Sequence, residues 1–294
     1  MSGGPAAQTS KTGGTTDATP LGIIAGGGIL PLEIADTVAR TGRKVFIAGI
    51  EGTADAGIAQ WPHATFHLGA LGSLFDMLRK AGCVDLVIAG RADRPDIASL
   101  RLDGKAIRSL PRILSMMIGG DDTVLSGVIR FIEDHGFRVV GAHEAAPSLV
   151  CGEALVGRRS LSKAEKADIE TGFEALRRIG PLDIGQAVAV IGRRIVAVEA
   201  AEGTDAMIRR VGELRRTGRI TGKAKTGVLV KAPKPHQDLR VDMPTIGPDT
   251  VDLAAEAGLA GIGVAASGVL IAQRAETESR IRQHGLFLAG QPDK

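Results

Sequence analysis

Between Glu199 and Gly247 the chain gathers the side chains that phosphate and divalent-cation chemistry needs. Glu199, Glu202 and Asp205 stand in the run Glu199-Ala-Ala-Glu-Gly-Thr-Asp205, at a strand-to-helix junction. Gly203 permits a sharp turn there, and Thr204 is placed to cap the helix that carries Met207 and Arg210. A second run, Lys231 to Gly247, holds two lysines, an arginine, His236, Asp238 and Asp242. Pro233, Pro235 and Pro244 stiffen it against helix or sheet pairing. Ordering a long, charge-dense loop costs entropy, and function is the usual return. Oxygen ligands without clustered cysteine or histidine suit magnesium or manganese, and adjacent cations suit a departing phosphate. The plainer alternative is a surface loop laced with solvated ion pairs. His236, alone in a polar loop, reads as solvated.

A second set of candidates lies near the start. Leu21 to Ala25 is apolar, Gly26, Gly27 and Gly28 end it, and Leu30 to Arg40 has helical periodicity with Pro31 in its first turn. Glycines between strand and helix let backbone amides approach a phosphate, although a tight turn without any ligand is the competing explanation. The dinucleotide fingerprint is incomplete, because Pro31 stands where its last glycine belongs, even though Glu51 closes the second strand where a ribose-binding acid would sit. Gly90-Arg91-Ala-Asp-Arg94-Pro follows another strand. Arg91 and Arg94 there are either phosphate grips or solvated loop charges.

The elements that must position these groups alternate. Strands at Lys44 to Ile50, Val84 to Ala89 and Arg138 to Val140 interleave with helices at Leu74 to Ala81 and Thr123 to His135, which predicts a Rossmann-like parallel sheet over residues 21–144. Residues 145–162 read as a linker. Residues 163–294 read as a second α/β domain with a mixed sheet, containing a helix at Lys163 to Ile179 and a hairpin of Gln186 to Ile191 with Arg194 to Val198 around Gly192-Arg193. Helices follow at Thr204 to Arg216, Asp249 to Ala257 and Ala275 to His284, interleaved with strands at Val228 to Lys231, Ile262 to Ala265, Val269 to Ala272 and Leu286 to Ala289. The expected fold class is therefore α/β, with two α/β domains.

Composition narrows the function. Of 294 residues, 44% are hydrophobic and 23% charged, which is ordinary globular usage. Aromatics are 3%, with no tyrosine, so base-stacking platforms are not expected; a net charge of +3 gives no ground for nucleic-acid binding either. Cys83 and Cys151 match neither a disulfide framework nor a zinc spacing and read as buried thiols. Residues 1–20, rich in Gly, Ser, Thr and Ala, read as a disordered tail without an export signal's apolar core. A cytoplasmic protein, free or resting on a membrane surface, is expected.

Several longer motifs point to one family. Leu21-Gly-Ile-Ile-Ala-Gly-Gly-Gly28, Leu182-Asp-Ile-Gly-Gln186, Glu202-Gly-Thr-Asp-Ala-Met207, Lys231-Ala-Pro-Lys-Pro235 and Arg240-Val-Asp-Met-Pro-Thr-Ile-Gly247 occur in that order. Together they resemble the UDP-2,3-diacylglucosamine pyrophosphatases of lipid A biosynthesis that are unrelated to the calcineurin-like enzyme. The resemblance runs from Leu21 to about Gly290. It implies two α/β domains with the active site between them, a divalent cation (Mg2+, or Mn2+), and water attack on the α-phosphorus, giving UMP and 2,3-diacylglucosamine 1-phosphate (lipid X). It also implies work at the cytoplasmic face of the inner membrane as a peripheral protein, and leaves a homo-oligomer open. Asp242 falls on the family's essential aspartate, and Gly26 to Gly28 on its glycine motif. In the resulting scheme Asp242, with Glu202 or Asp205, holds the cation and one of these carboxylates orients the water. Lys231, Lys234 and Arg240 neutralise phosphate charge. Gly26, Gly27, Gly28, Arg91, Arg94, Gln186, Gly203, Thr204 and Thr245 contact substrate. The rival readings are an NAD- or FAD-dependent oxidoreductase and a non-catalytic sugar-nucleotide-binding protein.

Overall fold

The computed structural model describes residues 19–91, 121–158, 160–221, 225–235 and 237–292, and for residues 121–124 the backbone alone. The expected disordered tail through residue 18, and Arg94 and His236, lie outside the described residues.

The N-terminal sheet comprises β1 (Leu21–Ala25), β2 (Val45–Ile50), β3 (His63–Phe66), β4 (Asp85–Ala89) and β5 (Arg138–Val139), ordered β3-β2-β1-β4-β5. Every pairing is parallel. β1 is buried along its whole length, as a central strand covered on both faces must be. Helices α1 (Leu30–Arg40), α2 (Leu71–Lys80), α3 (Asp121–Glu133) and the short α4 (Ala142–Ala145) connect the strands. In α1, Ile34, Ala35 and Val38 form the buried stripe and Pro31 sits in the first turn, where no amide donor is missed. The strand order reverses between β1 and β4, and at their carboxyl ends such a reversal opens a crevice. β3 escapes sequence reading because His-Ala-Thr-Phe is short and half polar, with only Phe66 buried.

At the opposite edge of this sheet Asp85 is 1% exposed and joins Arg43 (2.8 Å) and Arg138 (2.7 Å). Burial alone raises its carboxyl pKa, but hydrogen bonds and charges from Arg138 and Arg43 outweigh that and hold it below the ordinary value. Asp85→Asn is expected to cost roughly 3 kcal/mol at neutral pH, because it strands Arg43. A depressed carboxyl contributes stability above its unfolded pKa and loses it as pH falls through the folded one. Urea unfolding should therefore separate variant from parent at pH 7 and bring them together as pH falls below the ordinary carboxylate range.

The chain crosses between domains through a 3-10 turn at Pro147–Leu149 and Val150, which bridges to Leu270. Residues 145–162, read as linker, already contain β6 (Leu155–Val156), an edge strand of the second sheet. That sheet runs β6-β13-β11-β9-β7-β8, with β7 (Ala187–Ile191), β8 (Arg194–Val198), β9 (Val228–Lys231), β11 (Gly261–Ala265) and β13 (Phe287–Gln291). β9, β11 and β13 are parallel, whereas β6, β7 and β8 each pair antiparallel to a neighbour, so the sheet is mixed. A separate two-stranded ladder joins β10 (Thr245–Ile246) to β12 (Leu270–Ile271).

Helix α5 (Lys163–Ile179) opens on a capping box in which the Ser162 hydroxyl accepts from the Glu165 amide and Glu165 accepts from the Ser162 amide. It covers one sheet face over Val188, Val190, Val228 and Val230. Helices α6 (Gly203–Arg216), α7 (Pro248–Glu256) and α8 (Arg274–His284) cover the other over Ala187, Ala189, Leu229 and Ile262. The hairpin turn places Gly192 and Arg193 at positive φ, and buried Asp168 of α5 accepts both amides at 3.1 and 2.5 Å.

Candidate active site

Side chains alternate along β9, so Lys231 follows Leu229 onto the face of α6 to α8. There its ammonium donates to the Thr204 hydroxyl (2.9 Å) and the Thr245 carbonyl (3.1 Å). Burial drives its pKa down, and the carboxylates of Glu199, Asp205 and Asp242 partly oppose that. Those three carboxylates thus share one half-buried cation. Glu199 is fixed in turn: Thr204 donates to its Oε1 at 2.8 Å, and the Gln186 amide donates to its Oε2 at 3.1 Å.

Downstream of β9 the proline-rich run is drawn inward. Ala232, Lys234, Gln237, Pro244 and Ile246 are buried, which dismisses a solvated surface loop. Val241 packs against the N-terminal-domain cluster around Ile24 and Phe66, and Met243 against the cluster around Leu21 and Val87, which Leu270 of the second domain joins. Asp242 lies between these two anchors, above the carboxyl edge of the N-terminal sheet. The Gln237 side-chain amide donates to Asp242 Oδ2.

Opposite stands the glycine turn. Gly27 and Arg91 exchange both backbone hydrogen bonds, at 2.7 and 2.9 Å. A Cβ on Gly26 would meet the Arg91 carbonyl at 2.3 Å, so this glycine serves the closure of two loops on each other. Gly28, at φ +93° with open space before it, is the one that leaves room for a ligand. The two halves enclose a cavity of about 510 Å³ lined by Gly27, Gly28, Arg91, Asp205, Arg240, Asp242 and Thr245 among others. That is the scale of a small-molecule site. The amino ends of α1 and α7 also line it, through Leu30 and Pro248, and that of α6 reaches it through Asp205. Helix amino ends carry partial positive charge and unpaired amides, so the lining favours an anion. A larger hollow, about 650 Å³ among Phe46, Trp61 and Met77, opens at the amino ends of the N-terminal strands, away from all of these groups.

Residues 20–149 match the LpxI N-terminal domain and residues 152–289 the LpxI C-terminal domain. The chain belongs to the LpxI family. It is similar to UDP-2,3-diacylglucosamine pyrophosphatase LpxI of Caulobacter vibrioides, 39% identical over 270 residues, which cover 92% of this chain and 96% of that one. The expectation from the sequence motifs is met on family and on fold class.

Within this LpxI fold several sequence-derived site residues take other places. Lys234 does not line the cavity: it is buried and its ammonium pairs with Asp183. Glu202 turns away, with Oε1 on Arg210 at 2.9 Å and Oε2 accepting from the Ala200 amide at 3.2 Å. The trio Asp242, Glu202 and Asp205 therefore does not converge, and among the described residues no three of His, Cys, Asp and Glu gather as a preformed cation site. Arg240 lines the cavity but is engaged, forking onto Asp238 at 2.7 and 3.0 Å and reaching Glu133 of the N-terminal domain at 3.1 Å. Thr204 is no cap, since α6 begins at Gly203 with φ +80° and the Thr204 hydroxyl is spent on Glu199 and Lys231. Gln186 lies beside Glu199, and its side-chain Oε1 is buried with no hydrogen-bond partner among the described residues. Glu51 is half-exposed and pairs with His67 at 2.8 Å.

Sequence reasoning undervalued Glu199 and missed Gln237. The signal for Glu199 was its place as the first polar residue after an apolar strand; nothing in the sequence marked Gln237 beyond its closeness to Asp242. Both cysteines are buried. Burial pushes the Cys83 thiol up to about 11, against a small opposing pull from Arg43, and burial raises Cys151 as well.

Proposed function

We propose that this chain hydrolyses the pyrophosphate bond of UDP-2,3-diacylglucosamine, releasing UMP and lipid X, at the cytoplasmic surface of the inner membrane. The observation that carries the reading is the convergence of Asp205, Asp242 and the glycine turn on one cavity, with Lys231 bound just behind its wall to the Thr245 carbonyl, in a chain alike over nearly its full length to a pyrophosphatase of that name. Among the described residues no helix is long and apolar enough to cross a membrane, which accords with a peripheral enzyme.

The roles follow from charge and position. The amino ends of α1, α6 and α7 receive the diphosphate, and Arg91 faces it from the N-terminal side. Lys231 stabilises the negative charge that grows on the phosphoryl oxygens, in a half-buried setting where such an interaction is stronger than in water. Asp242 accepts a hydrogen bond from the attacking water and orients it toward the α-phosphorus. Arg240 contributes mainly by tying the Asp242 loop to Glu133.

The residues fit magnesium or manganese. A cation of this kind keeps several waters and takes one or two carboxylates together with substrate phosphates, and Asp205 and Asp242 line the same cavity. These two, without Glu202, would hold it. When bound, the cation polarises the phosphoryl oxygens and neutralises the charge of the leaving group.

The test is incubation with UDP-2,3-diacylglucosamine and Mg2+ in heavy-oxygen water. Labelled UMP is expected. Label in the lipid phosphate would move the attack to the other phosphorus, and tight binding without UMP release would make the protein a carrier. Excess EDTA is expected to stop turnover and added Mg2+ to restore it; undiminished hydrolysis in EDTA would remove the cation from the scheme.

A further inference from the structure

The structure assigns to Gln237 the positioning of the Asp242 carboxylate, a task that nothing in the reaction scheme had given it. The inference rests on the reading that Asp242 acts in hydrolysis. Gln237 is 8% exposed, in a loop that carries several charges. A buried primary amide has to satisfy an acceptor and two donors, and its environment decides which way it faces. Here the Lys234 backbone amide donates to Gln237 Oε1 at 2.8 Å, which turns the NH2 group toward Asp242 Oδ2.

Lys234 is itself immobilised, buried and paired through its ammonium to Asp183, beyond a 3-10 turn at Gly180–Leu182. A chain of contacts therefore runs from Asp183 through Lys234 and Gln237 to Asp242. It gives Lys234 a purpose that its burial denies it as a phosphate ligand. Without the Gln237 donor, the aspartate keeps its backbone place between Val241 and Met243 but loses a contact that helps to fix its rotamer. Displacing a reacting group by about 1 Å is enough to cost on the order of 100-fold in rate.

Gln237→Glu isolates the donor. Glutamate keeps the shape and can still accept from the Lys234 amide, but it presents an oxygen to Asp242. Turnover is expected to fall about 10- to 100-fold in kcat with KM little changed, the size usual for residues that orient a catalytic carboxylate. A purely structural residue would lower stability without that split. Should Gln237→Glu fail to fold, Gln237→Met, uncharged and of similar length, is measured instead with the same expectation.

The readout independent of activity is a stability cycle. In Gln237→Glu with Asp242→Asn the donor and acceptor exchange sides, so the double variant should recover most of the urea midpoint lost by Gln237→Glu alone. Two results overturn the inference: full kcat in Gln237→Glu while Asp242→Ala is inactive, or additive midpoint losses in the cycle. If Asp242→Ala itself turns over normally, the reading of Asp242 fails first, and the stability cycle alone then decides whether Gln237 holds it.

Discussion

Asp242→Ala is expected to lower UMP release by about 10³-fold or more while the protein stays folded, the scale at which loss of a catalytic acid–base group is felt. Folding should survive because the loop is held by other groups. Val241 and Met243 anchor it in the N-terminal cores, Arg240 reaches Glu133, and the Leu270 amide donates to the Pro244 carbonyl at 2.8 Å. Removing Asp242 relieves crowding among the carboxylates that share Lys231 but leaves the buried Gln237 amide without that acceptor, so the unfolding midpoint should fall only modestly. A discontinuous assay for UMP, run beside a thermal melt, separates the outcomes. Near-normal turnover would remove Asp242 from the mechanism; an inactive but unfolded variant would show that the loop depends on it.

Lys231→Met carries the second large effect. The ammonium is the group on which Glu199, Asp205 and Asp242 converge, and methionine removes the charge while keeping most of the length. Turnover should fall roughly 10²- to 10³-fold, as when a preorganised stabiliser of transition-state charge is deleted. Stability should fall as well, because three carboxylates are left facing one another and the Thr245 carbonyl loses its donor. The pH profile gives a separate check. Burial holds the ammonium pKa below the ordinary lysine value even against those carboxylates. The charged form is therefore lost as pH rises through that lowered value, and kcat/KM should decline on the basic side before pH 10.5, the value for an unperturbed lysine. Lys231→Arg, charged throughout, should lose that decline even if its rate is lower. An unchanged basic limb in Lys231→Arg would assign the titration to another group.

Reading the sequence located most elements because their signals are local. The Gly192-Arg193 turn and the apolar run of β9 are each set by neighbours within a few residues. The alternation of side chains along that strand even foretells that Lys231 leaves the sheet on the side of Leu229. The polar runs also announced a site, since so many charges in a proline-stiffened loop have little other reason to be ordered. Local pattern does not say which partner a long charged side chain will choose. Glu202 and Asp205 look alike in sequence, but Arg210, two turns into α6, reaches back to Glu202 and leaves Asp205 at the cavity. Lys231 and Lys234 look alike too, and strand geometry sends the first to the carboxylates while the turn at Pro235 sends the second to Asp183.

By itself, then, the chain determined its elements, its two-domain α/β class and the identity of the chemical groups, because propensity, period and residue type act over short range. Only the tertiary structure decided that Val241 and Met243 reach into the other domain, that the glycine turn closes on Arg91, and that Asp242 is held by Gln237. Those outcomes depend on contacts between segments far apart in sequence, where burial and ion pairing compete among many partners and packing selects one.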